Sequence, residues 1–213
     1  MTETDTRTDV DATESTENSL DIGLAAVYRT LGTLYREPPE PETIEAIEQW
    51  GSFVGADPEL PEELSVAIET ILEAETDLEV LKPAFTRLFL GVGEQYSPPP
   101  PYESLYVDGT LNGPTSTEVE AFYLDSGFEL AVDGDLVDHA AFELAFLAGL
   151  CEHGSQRRQL AFIELHLGEW LPEFHERATE FEVPAFYQGV FDLTEAVMDL
   201  HIESLREEGV SID

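Results

Sequence analysis

Four consecutive prolines, Pro98 to Pro101, interrupt a chain whose apolar residues otherwise recur at helical spacing. Each proline fixes φ near −65° and lacks a backbone donor, so the run is extended and polyproline-like, and no helix passes through it. The segment Tyr96 to Gly109, YSPPPPYESLYVDG, is therefore a structured loop that delivers Tyr102, Glu103 and Ser104 to a set place. It is either a stiff linker between two halves or the wall of a binding site. Loops of this length in a compact chain are more often functional, and Tyr102 and Tyr106 are spaced to pack.

The flanking sequence reads as helices. Ser19 is placed to cap a helix with Leu20, Leu24, Val27, Tyr28, Leu31, Leu34 and Tyr35 on one stripe, stopped by Pro38-Pro39. A short helix with Ile44, Ile47 and Trp50 ends at Gly51, and Pro61 opens a third with Leu64, Ala67, Ile68, Ile71 and Leu72 inward. Asp77 caps a fourth carrying Leu78, Leu81, Phe85, Leu88 and Phe89, in which Pro83 predicts a kink or a restart after Leu81. Beyond the loop, Thr115 and Glu118 have capping-box spacing ahead of Val119, Phe122 and Tyr123. Asp138 heads the apolar run His139 to Leu150, Ser155 caps a helix through Trp170 that Pro172 interrupts, and Pro184 starts a long last helix. Segments apolar on every side are buried on every side. No convincing period-two strand appears. The expected class is all-α: one bundle of about eight or more helices over residues 19–213, with the proline-rich loop between its halves. Residues 1–18, mostly Thr, Glu and Asp, are expected to form a disordered acidic tail.

Charge narrows the partners. Nine Lys and Arg against 46 Asp and Glu give a net charge of −37, the wrong sign for nucleic acid or an anionic membrane. Lys82 is the only lysine. Self-repulsion of that size is screened at molar salt, where the Debye length falls to about 3 Å, so the composition reads as that of a halophile with a salt-filled cytoplasm. One cysteine, Cys151, rules out an intrachain disulfide. The N-terminus has neither the basic start nor the apolar run of a signal peptide, and no stretch is long enough to span a membrane, so the expected location is cytoplasmic.

Enzyme signatures are scarce. There is no nucleophile elbow, phosphate loop, dinucleotide fingerprint or paired C-x-x-C. His139 and Glu143, at i and i+4, share a helix face and would start a metal site, but it would need a third ligand such as His166 or His175. The simpler reading has Asp138 capping its helix while His139 bonds across to the loop. Cys151 with His153 reads as a small buried residue beside a helix-end histidine.

Taken in order, Leu88-Phe89 with Gly91, Pro100-Pro101-Tyr102-Glu103-Ser104 with Tyr106, Asp138-His139 with Glu143-Leu144 and Phe146-Leu147, His166-Leu167, Trp170-Leu171-Pro172 with Phe174, and Phe186-Tyr187 form a pattern. It resembles the TorD/DmsD and NarJ-like chaperones that assist maturation of molybdenum-containing oxidoreductases, over about residues 20 to 207. The chain departs at Leu136, where that family usually has proline. The resemblance implies a cytoplasmic chaperone without catalytic turnover. Such a protein binds the twin-arginine leader or N-terminal region of an apo-reductase until its molybdopterin cofactor is inserted. It implies partner-binding roles for Phe89, Gly91, Tyr102, Glu103, Ser104, Tyr106, Asp138, His139 and Glu143. The molybdopterin belongs to the client. Guanine nucleotide is associated with such proteins, although no phosphate loop is present here. A monomer is expected, with a helix-swapped dimer as the alternative. From the residues alone, an apolar stretch of the partner would lie in a groove while its arginines meet carboxylates, for which Glu103 and Asp138 are the candidates. The competing readings are a metal-dependent hydrolase centred on His139 and Glu143, and an acidic adaptor without leader specificity.

Overall fold

A computed structural model describes residues 8–55, 60–93, 95–129 and 136–212; for residues 8–21 and Phe53 it describes the backbone alone. Ten α-helices are described: α1 Thr8–Arg36, α2 Pro41–Val54, α3 Glu62–Glu73, α4 Leu78–Phe89, α5 Glu103–Val107, α6 Pro114–Asp125, α7 Ala140–His153, α8 Gln156–Phe162, α9 Gly168–Thr179 and α10 Ala185–Glu207. A π-helical turn, Ile163–Leu167, joins α8 to α9. Among the described residues there is no strand, only an isolated antiparallel bridge between Tyr102 and His139. The fold is an all-α bundle, as the periodicity predicts.

α7 is the central rod. Ala140, Phe142, Glu143, Leu144, Phe146, Leu147, Leu150 and Cys151 point in all directions and are all buried. α1 lies along it, presenting Leu24, Tyr28, Leu31 and Tyr35. Close approach is possible because a Cβ on Gly32 would sit only 3.0 Å from the Ala141 carbonyl oxygen. α3 lies along α10 in the same manner, over Gly189, whose added Cβ would be 2.6 Å from Ile71 Cγ1. One end of the core is a cluster of rings, Tyr35, Phe85, Phe89, Phe174, Tyr187 and Phe191. A second cluster gathers Phe122, Tyr123, Phe146 and Phe162.

Several helix boundaries differ from those the sequence predicts. Asp77 and Ser155 do cap their helices, accepting from Glu79 N and Arg158 N. Pro83, however, lies inside an unbroken α4, because both it and Glu79, whose carbonyl loses the donor, face solvent on the outer side. Pro172 likewise stays inside α9. The helix expected to end at Gly51 continues to Val54, and Pro61 is the cap residue of α3 rather than part of its first turn. Thr115 and Glu118 form no capping box: Thr115 N–H is taken by Asp108 Oδ2 at 2.9 Å, from outside the helix. α1 is described from Thr8, upstream of Ser19, and residues 1–7 of the expected tail lie outside the described residues.

Two buried histidines bolt the bundle crosswise. His201 Nδ1 meets Tyr28 Oη at 3.1 Å, and its Nε2 meets Gln159 Oε1 at 3.0 Å. Gln159 Nε2 donates to the Leu150 carbonyl, which fixes the amide and makes His201 Nε2 the protonated nitrogen. Burial lowers its pKa from 6.5 to about 4. His175 bridges Tyr35 Oη at 2.6 Å and Glu195 at 2.5 Å, and burial lowers it as well, against the pull of Glu195.

Candidate functional site

The proline-rich loop is locked at both ends. Behind α4 the chain turns at Gly91, φ +60°, and a Cβ there would lie 2.7 Å from Pro100 Cδ, so only glycine lets the turn sit flat on the proline run. Tyr106 Oη donates to the Pro99 carbonyl at 2.6 Å, and Ser97 Oγ closes the preceding turn onto Gly93. The far end is fastened to the segment entering α7: Ala140 N–H donates to the Pro101 carbonyl and Glu103 N–H to the Asp138 carbonyl, both at 2.9 Å. Prolines satisfy no donor of their own, so the loop is held through its carbonyls.

Asp138 and His139 divide the work in the opposite way to the expected one. His139 caps α7, its Nδ1 accepting from Ala141 N–H at 3.1 Å. Asp138, fully buried, reaches across instead: Oδ2 accepts from Ser104 N–H at 3.0 Å and Oδ1 from Ser116 Oγ at 2.9 Å. It thereby satisfies the first turn of α5 and ties α5, α6 and α7 together. The Tyr102 ring stands edge-on to His139, with centroids 4.7 Å apart.

Beneath this surface lies a carboxyl pair. Glu103 is buried, with both oxygens on His166 Nδ1 at 3.0 and 3.1 Å. Glu143, also buried, accepts the Trp170 indole N–H at 3.1 Å. Burial pushes Glu103 upward, offset by His166; it pushes Glu143 well upward, reinforced by the Glu103 and Asp138 charges. His166 is presented by the π-helical turn, a local widening that often marks functional positions.

The predicted residues thus fall into two layers. Tyr102, Tyr106 and His139 are half-buried at the surface and Gly91 is exposed, whereas Phe89, Glu103, Ser104, Asp138 and Glu143 lie underneath. Phe89 belongs to the ring cluster, not to the surface. In the segments on either side of the proline run Leu90, Val92, Tyr96 and Val107 are exposed, and Arg177 stacks over Tyr106 at 5.2 Å. Sequence reasoning did not find the partners in the lower layer: Ser116, the link from His166 to Glu103, and Trp170 as the donor to Glu143. The single sequence trace of the π turn is Gly168 four residues ahead of Pro172, which removes the donor Gly168's carbonyl would otherwise receive.

Among the described residues no three His, Cys, Asp or Glu converge in a metal-holding geometry. His166 is engaged by Glu103, and His175 by Tyr35 and Glu195. A nucleoside triphosphate does not fit this site, whose buried titratable groups include the carboxyls of Glu103, Asp138 and Glu143, with Arg177 already paired to Glu173. A separate apolar recess of about 200 Å³, lined by Val27, Leu31, Ile47, Trp50 and Leu193 among others, shares no residue with it.

The sequence pattern of the nitrate reductase delta subunit family matches residues 55–176, more than half of the 213. The chain belongs to that family. The matched span runs from the end of α2 into α9 and contains the whole loop, Asp138, His139, Glu143, His166 and Trp170. The chain is also homologous, at moderate identity, to chaperone proteins named TorD. It is 28% identical to that of Shewanella pealeana, over 92% of this chain and 96% of the other. It is 27% identical to that of Shewanella loihica, over 85% and 92%. A shorter match to the Vibrio cholerae TorD chaperone is 34% identical over 50% of this chain and 54% of the other. Among solved structures, one from Archaeoglobus fulgidus, described as a redox enzyme maturation protein, shares the fold. Its TM-score is 0.52 at 18% identity, covering 87% of this chain and 93% of that one.

Proposed function

We propose that this protein is a maturation chaperone for a molybdenum-containing oxidoreductase, binding the twin-arginine leader or N-terminal region of the apo-enzyme in the cytoplasm without chemical turnover. The observation that carries this reading is the two-layer site. A surface of half-buried Tyr102, Tyr106 and His139 is held rigid from below by Asp138 and Glu103, and the segment that leads into the proline run exposes Leu90, Val92 and Tyr96. A rigid aromatic surface beside exposed apolar residues suits an extended peptide with an apolar stretch, and preorganisation lowers the cost of binding it. Membership of the delta subunit family and homology to TorD chaperones support the same class. Phe89, Gly91, Glu103, Ser104, Asp138 and Glu143 then serve the partner by shaping the surface. Glu103 and Asp138, the carboxylates expected to meet the leader's arginines, are buried and already bonded to His166 and to Ser104 and Ser116, so those arginines meet other carboxylates on this reading.

The composition is further read as an adaptation to high salt, with −37 serving solubility and short-range contacts serving recognition. Residues 1–18 are a dispensable tail on this reading, and the working state is a monomer. Titration calorimetry of the full chain with a synthetic leader peptide tests the proposal. Tyr102→Ala and Tyr106→Ala should each weaken binding about tenfold or more, as for buried aromatic anchors, with helical circular dichroism unchanged. No measurable binding by the wild type to leader or apo-subunit would overturn it in favour of an adaptor without leader specificity. Stoichiometric metal with hydrolytic turnover lost in His139→Ala would favour the hydrolase.

A further inference from the structure

One oxygen of Glu143 receives nothing. Its Oε2 takes the Trp170 N–H at 3.1 Å, while Oε1, equally closed to solvent, has no hydrogen-bond partner. A carboxylate anion would leave a charged lone pair unsatisfied in the interior, which buried polar groups avoid. The titratable groups facing this pair are Glu103 on α5, Asp138 ahead of α7, Tyr123 on α6 and His166 on the π turn. All four have partners, but only Glu103 keeps acceptor capacity turned toward Glu143. Asp138 accepts from Ser104 and Ser116, Tyr123 Oη donates to the Val137 carbonyl at 3.1 Å, and His166 Nδ1 sits on Glu103. No Arg or Lys is among the groups acting on either glutamate. Glu143 is in side-chain hydrogen-bonding contact with the Glu103 carboxylate, and Oε1 is the oxygen left for that contact.

The geometry points to Glu143 as a neutral carboxylic acid that donates its proton to Glu103, a positioning residue whose single buried hydrogen ties the proline-rich loop to α7. Burial and the neighbouring Glu103 and Asp138 charges all push Glu143 in the direction this requires, while His166 keeps Glu103 the lower of the two. The chain His166, Glu103, Glu143, Trp170 then runs unbroken from the π turn through α5 and α7 to α9. When the proton leaves to solvent, two anions face each other in a dry interior. The cheapest relief is for Glu103, at the first position of the five-residue α5, to swing outward and take Tyr102 and Tyr106 with it. The loop is thus held on the acid side and loosens as pH climbs through the raised Glu143 value. Its effect on a partner rests on the function proposed above.

Infrared or carbon NMR spectroscopy of the full chain should show a protonated glutamic acid persisting above the pH range in which ordinary carboxyls ionise, and missing in Glu143→Gln. Hydrogen-exchange protection at Glu103, Ser104 and Ala140 should fall by up to about tenfold per pH unit above the Glu143 value, the dependence of one linked proton. Glu143→Gln, whose amide N–H replaces the acid O–H, should hold that protection flat. Absence of the protonated-acid signal, or an equal pH dependence in Glu143→Gln, would overturn the proposal. If Glu143→Gln does not fold, the wild-type signal still decides, with Glu103→Gln as the variant that must abolish or shift it. A proton bridge present while leader affinity ignores pH would sustain this inference and count against the functional reading instead.

Discussion

Asp138 and His139 are neighbours in the chain and do different physical jobs. Removing the Asp138 carboxylate leaves Ser104 N–H and Ser116 Oγ without an acceptor inside the protein, so Asp138→Ala should cost about 3 kcal/mol in urea denaturation. Asp138→Asn should cost less, because the amide oxygen can still accept from Ser104 N–H while the amide N–H donates to Ser116 Oγ, whose hydroxyl turns to accept. His139 carries a cap, so His139→Ala should lose about 1 kcal/mol, and His139→Asp should restore it. The same His139→Asp chain lacks the ring that packs on Tyr102, and leader binding should stay weak in it although stability has returned. Recovery of both together would make His139 a cap and nothing more. Both residue types are acceptable caps, so the sequence around Asp138-His139 does not say which one turns inward. Ser104 and Ser116, 34 and 22 residues away, decide it.

At the level of helices, the apolar stripes of α1, α3, α4 and α10 are legible because burial of one face is what makes a short helix stable. The caps at Asp77 and Ser155 are legible for the same local reason. Prolines mislead where the lost hydrogen bond falls on the solvent side, as at Pro83 and at Pro172. The proline-rich loop is legible only in its first half: Pro98 to Pro101 exclude a helix there, whereas Glu103–Val107, expected to belong to the same loop, form α5, since a proline run does not prevent a helix from starting after it. The lower layer of the site is not legible, because Glu103, Glu143, His166 and Trp170 meet only through tertiary packing. The helix pairs set by glycine offer a direct test. Gly189→Leu would drive a side chain into Ile71 and separate α3 from α10, so we expect a loss of about 1–3 kcal/mol, read as a lower urea midpoint. An unchanged midpoint would mean that α3 is free to shift.

For the molecule as a whole, buried titratable groups bound stability on both sides. His201 binds its proton less well folded than unfolded, so its contribution is complete above pH 6.5 and is lost as pH falls toward about 4; His175 is shifted in the same direction. Glu143 is raised, so its contribution is complete below the ordinary carboxyl range and fades as pH rises through its higher folded value. Thermal melting across pH should therefore show a maximum, and His201→Gln should flatten only its acid limb. The net charge of −37 sets a further expectation: between about 1 and 3 M KCl, leader affinity should hold level or rise, since long-range attraction is already screened and apolar burial strengthens. A steep fall would identify bulk electrostatics as the recognition device. The proline run adds a property of a different kind. An extended segment at a protein's surface ordinarily offers a row of amides onto which another extended chain can add as a neighbouring strand, and so becomes a seed for aggregation. Pro98 to Pro101 offer carbonyls only, and those of Pro99 and Pro101 are already taken by Tyr106 and Ala140. A surface built this way can hold an unfolded segment by its side chains while giving its backbone nothing to template on.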